Sequence, residues 1–358
     1  MKILFISYSF PPIGGSGVVR SLKHIKYLPQ YGITPIILTC NPKTSKIPLD
    51  YSRMVDVNPN IKVYHADDNS TYPSWVKGHR AKIIYSSLFH FPDDRVGWAD
   101  NAIKIGGEII ESENIDLIYS SSPPISAHSV AMALKMKYNI PWVSDYRDAW
   151  ASVKNETYFI SPYHYRKAKK YKSQLLSATN HVIHINMWYI NKLRMFYPNH
   201  FNGNYSIIPN GYDESDFKNY ISRKTPTNNT LIISYTGTIN RYRSPKSLII
   251  AVTKVLKKNP LFRIKVQFYT GRRKLLQKII RKYAGASENS FKCYDLINFR
   301  DVLKVWQLSD VLLLLIKPKG GEGVFTGKLF EYLRANRTIL GLVPPGGEAS
   351  KILRQYGH

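Results

Sequence analysis

The feature that most constrains this chain is the kind of apolar run it contains. Ile3-Leu4-Phe5-Ile6 and Val311–Ile316 are apolar without interruption. A strand with one wet face alternates apolar and polar residues, whereas a continuous run suits a strand covered on both faces. That implies a parallel sheet with helices on each side. Lys2–Ser7, Pro35–Cys40, Ile61–His65, Ile115–Ser120 and Pro141–Ser144 read as strands. Between them Val18–Leu28, Asn101–Glu113 and Ser126–Lys137 place apolar residues at helical spacing. The pattern restarts after Asn210, with strands at Leu231–Tyr235, Arg263–Tyr269, Val311–Ile316 and Thr338–Leu342. Helices are expected at Pro245–Lys257, Lys274–Tyr283, Val302–Leu308 and Gly327–Leu333. The polar, turn-rich stretch from Pro198 to Pro226 puts the boundary near its start, giving domains 1–200 and 201–358. The expectation is an α/β protein of two Rossmann-like halves facing a cleft at the carboxyl ends of their strands.

Composition narrows the class. A chain of 358 residues favours roughly two domains. Its 44% hydrophobic content excludes a disordered or collagen-like polymer. Cys40 and Cys293 form no disulfide framework or metal spacing, which fits a reducing, cytoplasmic compartment. The longest wholly apolar run, Val311–Ile316, is far short of a membrane span, and the N-terminus lacks the apolar length of a signal peptide. Against 24 Asp+Glu stand 51 Lys+Arg, a net charge of +27 that calls for anionic partners. From Arg241 to Tyr283 there are fourteen Lys/Arg and no acid, and Arg166–Lys172 is a second basic block. These fit solvated helix faces or anionic lipid headgroups. Nucleic acid is disfavoured, because no recognisable nucleic-acid module accompanies them.

Local signals fall at strand ends. Gly14, Gly15 and Gly17 precede a helix, but their spacing is not that of a dinucleotide fingerprint. Ser122 follows a strand, and His128 lies one turn into the next helix, where it is either structural or cleft-lining. Asp145-Tyr146-Arg147-Asp148-Ala149-Trp150 follows another strand. Its charges either neutralise one another or line a site. The glycine-rich stretch Gly320-Gly321-Glu322-Gly323-Val324-Phe325-Thr326-Gly327-Lys328 opens a helix and suits a phosphate nest. Glu331, three residues past Lys328, shares its face and can accept ribose hydroxyls.

Five stretches together resemble retaining glycosyltransferases of the GT-B fold, family 4, in their bacterial polysaccharide (capsule or lipopolysaccharide O-antigen) branch. They are Ser9–Gly17, Phe91–Trp98, Val143–Trp150, Tyr235–Thr238 with Arg243-Ser244-Pro245, and Gly323–Leu333. The resemblance implies donor binding by Gly15, Gly17, Gly237, Arg243, Lys246, Thr326, Gly327, Lys328 and Glu331. It implies a reacting centre near Asp145, Arg147, Asp148 and Lys328, with Ser122 and His128 on the acceptor side.

The sequence departs from the family pattern at Gly323, where many members carry a carboxylate, with Glu322 adjacent; the usual Gly-Arg and Lys-Gly pairs are absent. Relative to that family the C-terminal part is expected to be shortened. The implied reaction transfers a hexosyl or N-acetylhexosaminyl unit from a nucleotide-diphosphate sugar, with retention. The implied acceptor is a polyprenyl-diphosphate-linked saccharide at an anionic membrane surface, with the enzyme peripheral on the inner face. No cofactor beyond the donor is implied, and without an Asp-x-Asp sequence no divalent metal is expected. The alternatives are a non-hydrolysing sugar-nucleotide 2-epimerase and a degenerate, non-catalytic subunit.

Overall fold

The structure, a computed structural model, describes the chain except residues 16, 153–160, 202, 222–229 and 241–242, and only the backbone of 79, 80, 82, 83 and 87. Ser16 and Arg241, singled out above, therefore lie outside the described residues. The chain divides into two compact units, Met1–Pro209 and Asn210–His358.

Unit 1 holds strands β1 (Lys2–Ile6), β2 (Thr34–Cys40), β3 (Val63–Ala66), β4 (Leu117–Ser122), β5 (Trp142–Tyr146), β6 (His181–His184) and β7 (Tyr205–Ile207). They pair in parallel in the order β3-β2-β1-β4-β5-β6-β7. Its helices are α1 (Val18–Tyr27), α2 (Gly78–Phe89), α3 (Val96–Glu113), α4 (Ser126–Tyr138), α5 (Pro162–Ala178) and α6 (Met187–Phe196). The unit extends nine residues beyond the boundary expected at 200, because Tyr205–Ile207 adds the last strand of its sheet.

Unit 2 holds β8 (Thr230–Thr236), β9 (Arg263–Tyr269), β10 (Phe291–Tyr294), β11 (Val311–Leu315) and β12 (Thr338–Leu342), parallel throughout in the order β10-β9-β8-β11-β12. Its helices are α7 (Lys246–Lys258), α8 (Arg273–Tyr283), α9 (Phe299–Leu308), α10 (Gly327–Arg334) and α11 (Glu348–Gln355).

The continuous apolar runs do what their pattern requires. Leu4 and Ile6 pack on one face of the first sheet with Trp98, Ala102 and Leu134. Ile3 and Phe5 pack on the other with Val18, Leu22 and Ile25. Likewise Leu313 and Leu315 join Ile249 and Leu276, while Leu312 and Leu314 join Trp306, Leu329 and Tyr332. Ile3–Ile6 and Leu312–Leu315 are buried throughout, alternately above and below the sheet, and only the leading Lys2 and Val311 are half-buried. Among the described residues no helix is long and apolar enough to cross a membrane.

Candidate functional site

Each sheet reverses its strand order once, between β1 and β4 in unit 1 and between β8 and β11 in unit 2. At such a point the loops leaving the two strands diverge, and open α/β sheets bind ligands in the crevice that results.

In unit 1 the loop after β1 carries the three glycines, with Gly15 in the left-handed region at φ +94°. Across the reversal stand Ser122, Pro123 and Pro124. Arg147, the residue following β5, joins the two loops. Its Nε donates to the Ser122 carbonyl at 3.0 Å and its Nη2 to the Pro123 carbonyl at 2.6 Å, while Nη1 donates to the Gly17 carbonyl. Asp145 accepts two bonds from Arg20, at 2.9 Å each, and a third from Ser121 Oγ at 2.9 Å. The remaining Arg20 nitrogen, Nη1, donates to the Pro209 carbonyl at 2.9 Å, at the last residue of the unit. Burial would raise the Asp145 carboxyl, but the Arg20 guanidinium outweighs it and holds it at about 2.

The sequence placed Asp145 and Arg147 at a reacting centre. In the structure both are buried, and their polar atoms are engaged inside the unit. Nor do they neutralise each other, since the counter-ion of Asp145 is Arg20, contributed by α1. Asp148 alone of the three charged residues is exposed.

Ser122 and His128 are also interior. Ser122 is buried and offers Arg147 its carbonyl. His128 is fully buried, with Nδ1 2.7 Å from Ser120 Oγ, the hydroxyl to which Trp142 Nε1 donates at 2.7 Å. Its ring lies 4.3 Å from that of Tyr146, and its Nε2 is buried without a hydrogen-bond partner. Burial pushes the basicity of His128 well below the ordinary histidine value. These positions make it a core residue and not one lining an acceptor surface.

The reversal in unit 2 is built differently. The strand β8 ends at Thr236, anchored by Trp306 Nε1 at 3.2 Å, and runs into Gly237. Gly237 has φ +145°, and a Cβ there would fall on the ammonium of Lys328. Glycine thus lets the Lys328 head group lie directly against the backbone leaving β8. The ammonium also sits 4.9 Å from the centre of the Tyr235 ring. Burial pulls Lys328 down to about 8; Glu331 opposes that shift and Arg243 adds to it, so both charges act at this point. Arg243 is exposed, and its backbone N–H is fixed by Asn240 Oδ1 at 2.9 Å.

The other side of the reversal is the loop Gly320–Thr326, which opens α10. Asn210 Nδ2 holds its Phe325 carbonyl at 2.7 Å. Thr326 stands at the N-cap in extended backbone, yet its hydroxyl makes no capping bond and is buried without a partner. A Cβ on Gly327 would meet nothing within 4 Å. The residues expected on the donor side, Gly237, Arg243, Thr326, Gly327, Lys328 and Glu331, therefore gather at one strand reversal. They form a cationic point beside open backbone, flanked by a carboxylate.

Lys246 does not join them. Its ammonium stands 4.7 Å from the Tyr283 ring, on the α7–α8 side of the unit. Glu322, neighbour of the glycine at the family's carboxylate position, accepts from the N–H of Gly320 at 3.1 Å and so folds back on its own loop. The basic block on α5 is only partly a surface. Arg166, Lys167 and Lys170 are exposed, whereas Lys172 is buried with its ammonium 3.1 Å from the Tyr146 ring centre.

Two contributors escape sequence reasoning. Arg20 looks like a surface charge early in α1 and Asn210 like a turn residue. The nearest signal for Arg20 is its place among Val18, Ser21 and Leu22 on the inward side of α1.

No family model matches the chain, and no curated protein matches it. Solved structures do. A glycosyltransferase from Rickettsia africae ESF-5 matches with TM-score 0.63 at 14% identity, over 99% of this chain and 86% of that one. HepE of Anabaena, solved in complex with UDP and glucose, gives 0.60 at 14% identity, over 99% and 88%. The UDP-GlcNAc 2-epimerase of Neisseria meningitidis, bound to UDP-GlcNAc, gives 0.53 at 14% identity, over 99% and 90%. At these identities the likeness establishes the fold: two parallel-sheet Rossmann-like units, the α/β architecture of GT-B glycosyltransferases, which certain epimerases share.

Proposed function

We propose that the protein is a retaining glycosyltransferase of family 4 type. It moves a hexosyl or N-acetylhexosaminyl unit from a nucleotide-diphosphate sugar to a saccharide acceptor in surface polysaccharide biosynthesis. The observation that carries this reading is the Lys328 ammonium seated against Gly237 at the strand reversal of unit 2, with Arg243 and Glu331 close enough to act on it. A cation at open backbone suits a diphosphate, and a carboxylate one helical turn away suits the two ribose hydroxyls.

Departure of the nucleoside diphosphate builds charge on its oxygens. Lys328, Arg243 and the N–H groups opening α10 meet that charge, while the leaving diphosphate helps take the acceptor proton on the same face. No Asp-x-Asp sequence is present, and no metal ion is invoked. Of the two carboxylates expected at the reacting centre, Asp148, exposed after β5, is the one that remains available to an acceptor. The acceptor is read as polyprenyl-diphosphate-linked, and the enzyme as peripheral on the inner face of an anionic membrane, from the net charge of +27.

The test is a thermal-shift panel of nucleotide sugars followed by product analysis. A nucleotide sugar should raise Tm as its concentration passes its Kd. Release of nucleoside diphosphate should then require a saccharide acceptor. Epimerised nucleotide sugar formed from donor alone would replace this reading with the 2-epimerase. Binding without turnover on any acceptor would replace it with a non-catalytic subunit.

A further inference from the structure

Between α7 and β9 the chain makes a short turn, Asn259–Phe262, with an unusual surface. Leu261 is 93% exposed, more than any other large apolar side chain among the described residues, and its neighbour Phe262 is 56% exposed. Lys257 and Lys258 in the last turn of α7 and Arg263 at the start of β9 flank the pair, and all three are exposed. Lys254 is exposed one turn earlier. The sequence carries no Asp or Glu from residue 217 to residue 287, so no acid along this stretch offsets them.

A single exposed leucine needs no explanation. Two adjacent large apolar side chains at a protruding turn, bracketed by cations, combine the two attractions of a bilayer interface. The apolar pair gains by leaving water, and the cations gain on anionic headgroups. A second copy of the chain is a poorer occupant, since an isologous contact here would set like charges against one another.

The turn also lies at the far end of the sheet from the cluster around Lys328. Arg263 pairs with Thr230 at the start of β8, whereas Gly237 follows the end of that strand. Seven residues of strand separate the two ends by about 23 Å. Lipid contact at the turn would leave the donor end of unit 2 in water.

We propose that the Leu261–Phe262 turn inserts into the interface of an anionic bilayer, with Lys257, Lys258 and Arg263 on its headgroups. This rests on the peripheral-membrane part of the proposed function and names the surface that does it.

The experiment uses the full chain and vesicles of phosphatidylcholine with or without phosphatidylglycerol. Flotation should occur only with the anionic lipid. Leu261→Ser with Phe262→Ser should weaken it by at least about tenfold, with Tm unchanged. Phe262→Trp should add fluorescence that brominated lipid quenches. Equal flotation of the serine pair, with no added quenching in Phe262→Trp, overturns insertion while leaving electrostatic attraction intact. Failure of the wild-type chain to bind anionic vesicles overturns the membrane reading as well. A vesicle-free dimer that the serine pair dissociates assigns the turn to a self-contact and overturns the proposal.

Discussion

The two strand reversals have the same topology and use their cations in opposite ways. In unit 1 the Arg147 guanidinium spends its donors on the carbonyls of Gly17, Ser122 and Pro123, and the nearby Asp145 is saturated by Arg20 and Ser121. In unit 2 the Lys328 ammonium rests on glycine backbone and an aromatic ring, its basicity lowered by burial, beside a threonine hydroxyl with no partner. The first arrangement is complete without a ligand. The second leaves a half-buried cation of lowered basicity and a buried donor whose balance an anion would improve. Charge at a strand end is therefore not in itself the mark of a site; unsatisfied charge is the sharper criterion.

The largest expected effect tests the first half of that contrast. Asp145→Asn keeps the shape but leaves Arg20 buried without its counter-ion. Breaking a buried pair in this way costs about 3–5 kcal/mol. Chemical denaturation should show that loss. A variant as stable as wild type would mean that the Arg20–Asp145 pair is not an internal brace, and would reopen Asp145 as a substrate-facing group.

Lys328→Met should behave in the opposite manner. It removes a cation that burial already disfavours, so stability should hold within about 1 kcal/mol or rise. On the proposed function the variant lacks a cation that would meet a diphosphate, and kcat/KM should fall by roughly 10²–10³. Retained activity with lost stability would erase the difference between the two reversals.

Much of the architecture was legible because burial on both faces leaves a mark in the order of residues. Ile3–Ile6 and Val311–Leu315 could only be interior strands, and their helices followed from spacing. The strands that went unread were the short ones. His181–His184 is framed by histidines, Tyr205–Ile207 has three residues, and Phe291–Tyr294 sits at a sheet edge with a half-polar pattern. The gathering of residues around Lys328 was legible because glycine density reports a backbone that something approaches closely. The burial of Asp145 and Arg147 was not legible, for a different reason. Their partners are remote in sequence, Arg20 lying 125 residues from Asp145, and no local pattern distinguishes a carboxylate held by a buried arginine from one held out to a substrate.

The smallest effect per group and per pH unit comes from titration, and it separates the units by direction. Burial holds three histidines of unit 1 in the neutral form: His24 at about 4, and His128 and His184 well below the ordinary value. Unfolded, each takes up a proton near pH 6.5. Below that pH the unfolded chain binds more protons than the folded one, so stability falls as pH drops, by about 1.4 kcal/mol per unit for each group until its folded value is reached. Asp145, held at about 2, adds its own loss only below about pH 4. His128→Gln should therefore flatten the acid branch by about one histidine's share. Lys328 acts at the alkaline end. At about 8 in the folded chain and about 10.4 unfolded, it makes the unfolded state bind more protons between those values. Its unfavourable contribution is present below pH 8 and disappears as pH rises to about 10.4. Over the same rise the ammonium is lost, and donor affinity should weaken above pH 8. Measured from pH 5 to 9, stability should have its histidine-dependent slope only on the acid side and donor affinity its lysine-dependent slope only on the alkaline side. Donor affinity in Lys328→Met should lack the alkaline slope; if that slope persists, another group holds the anion.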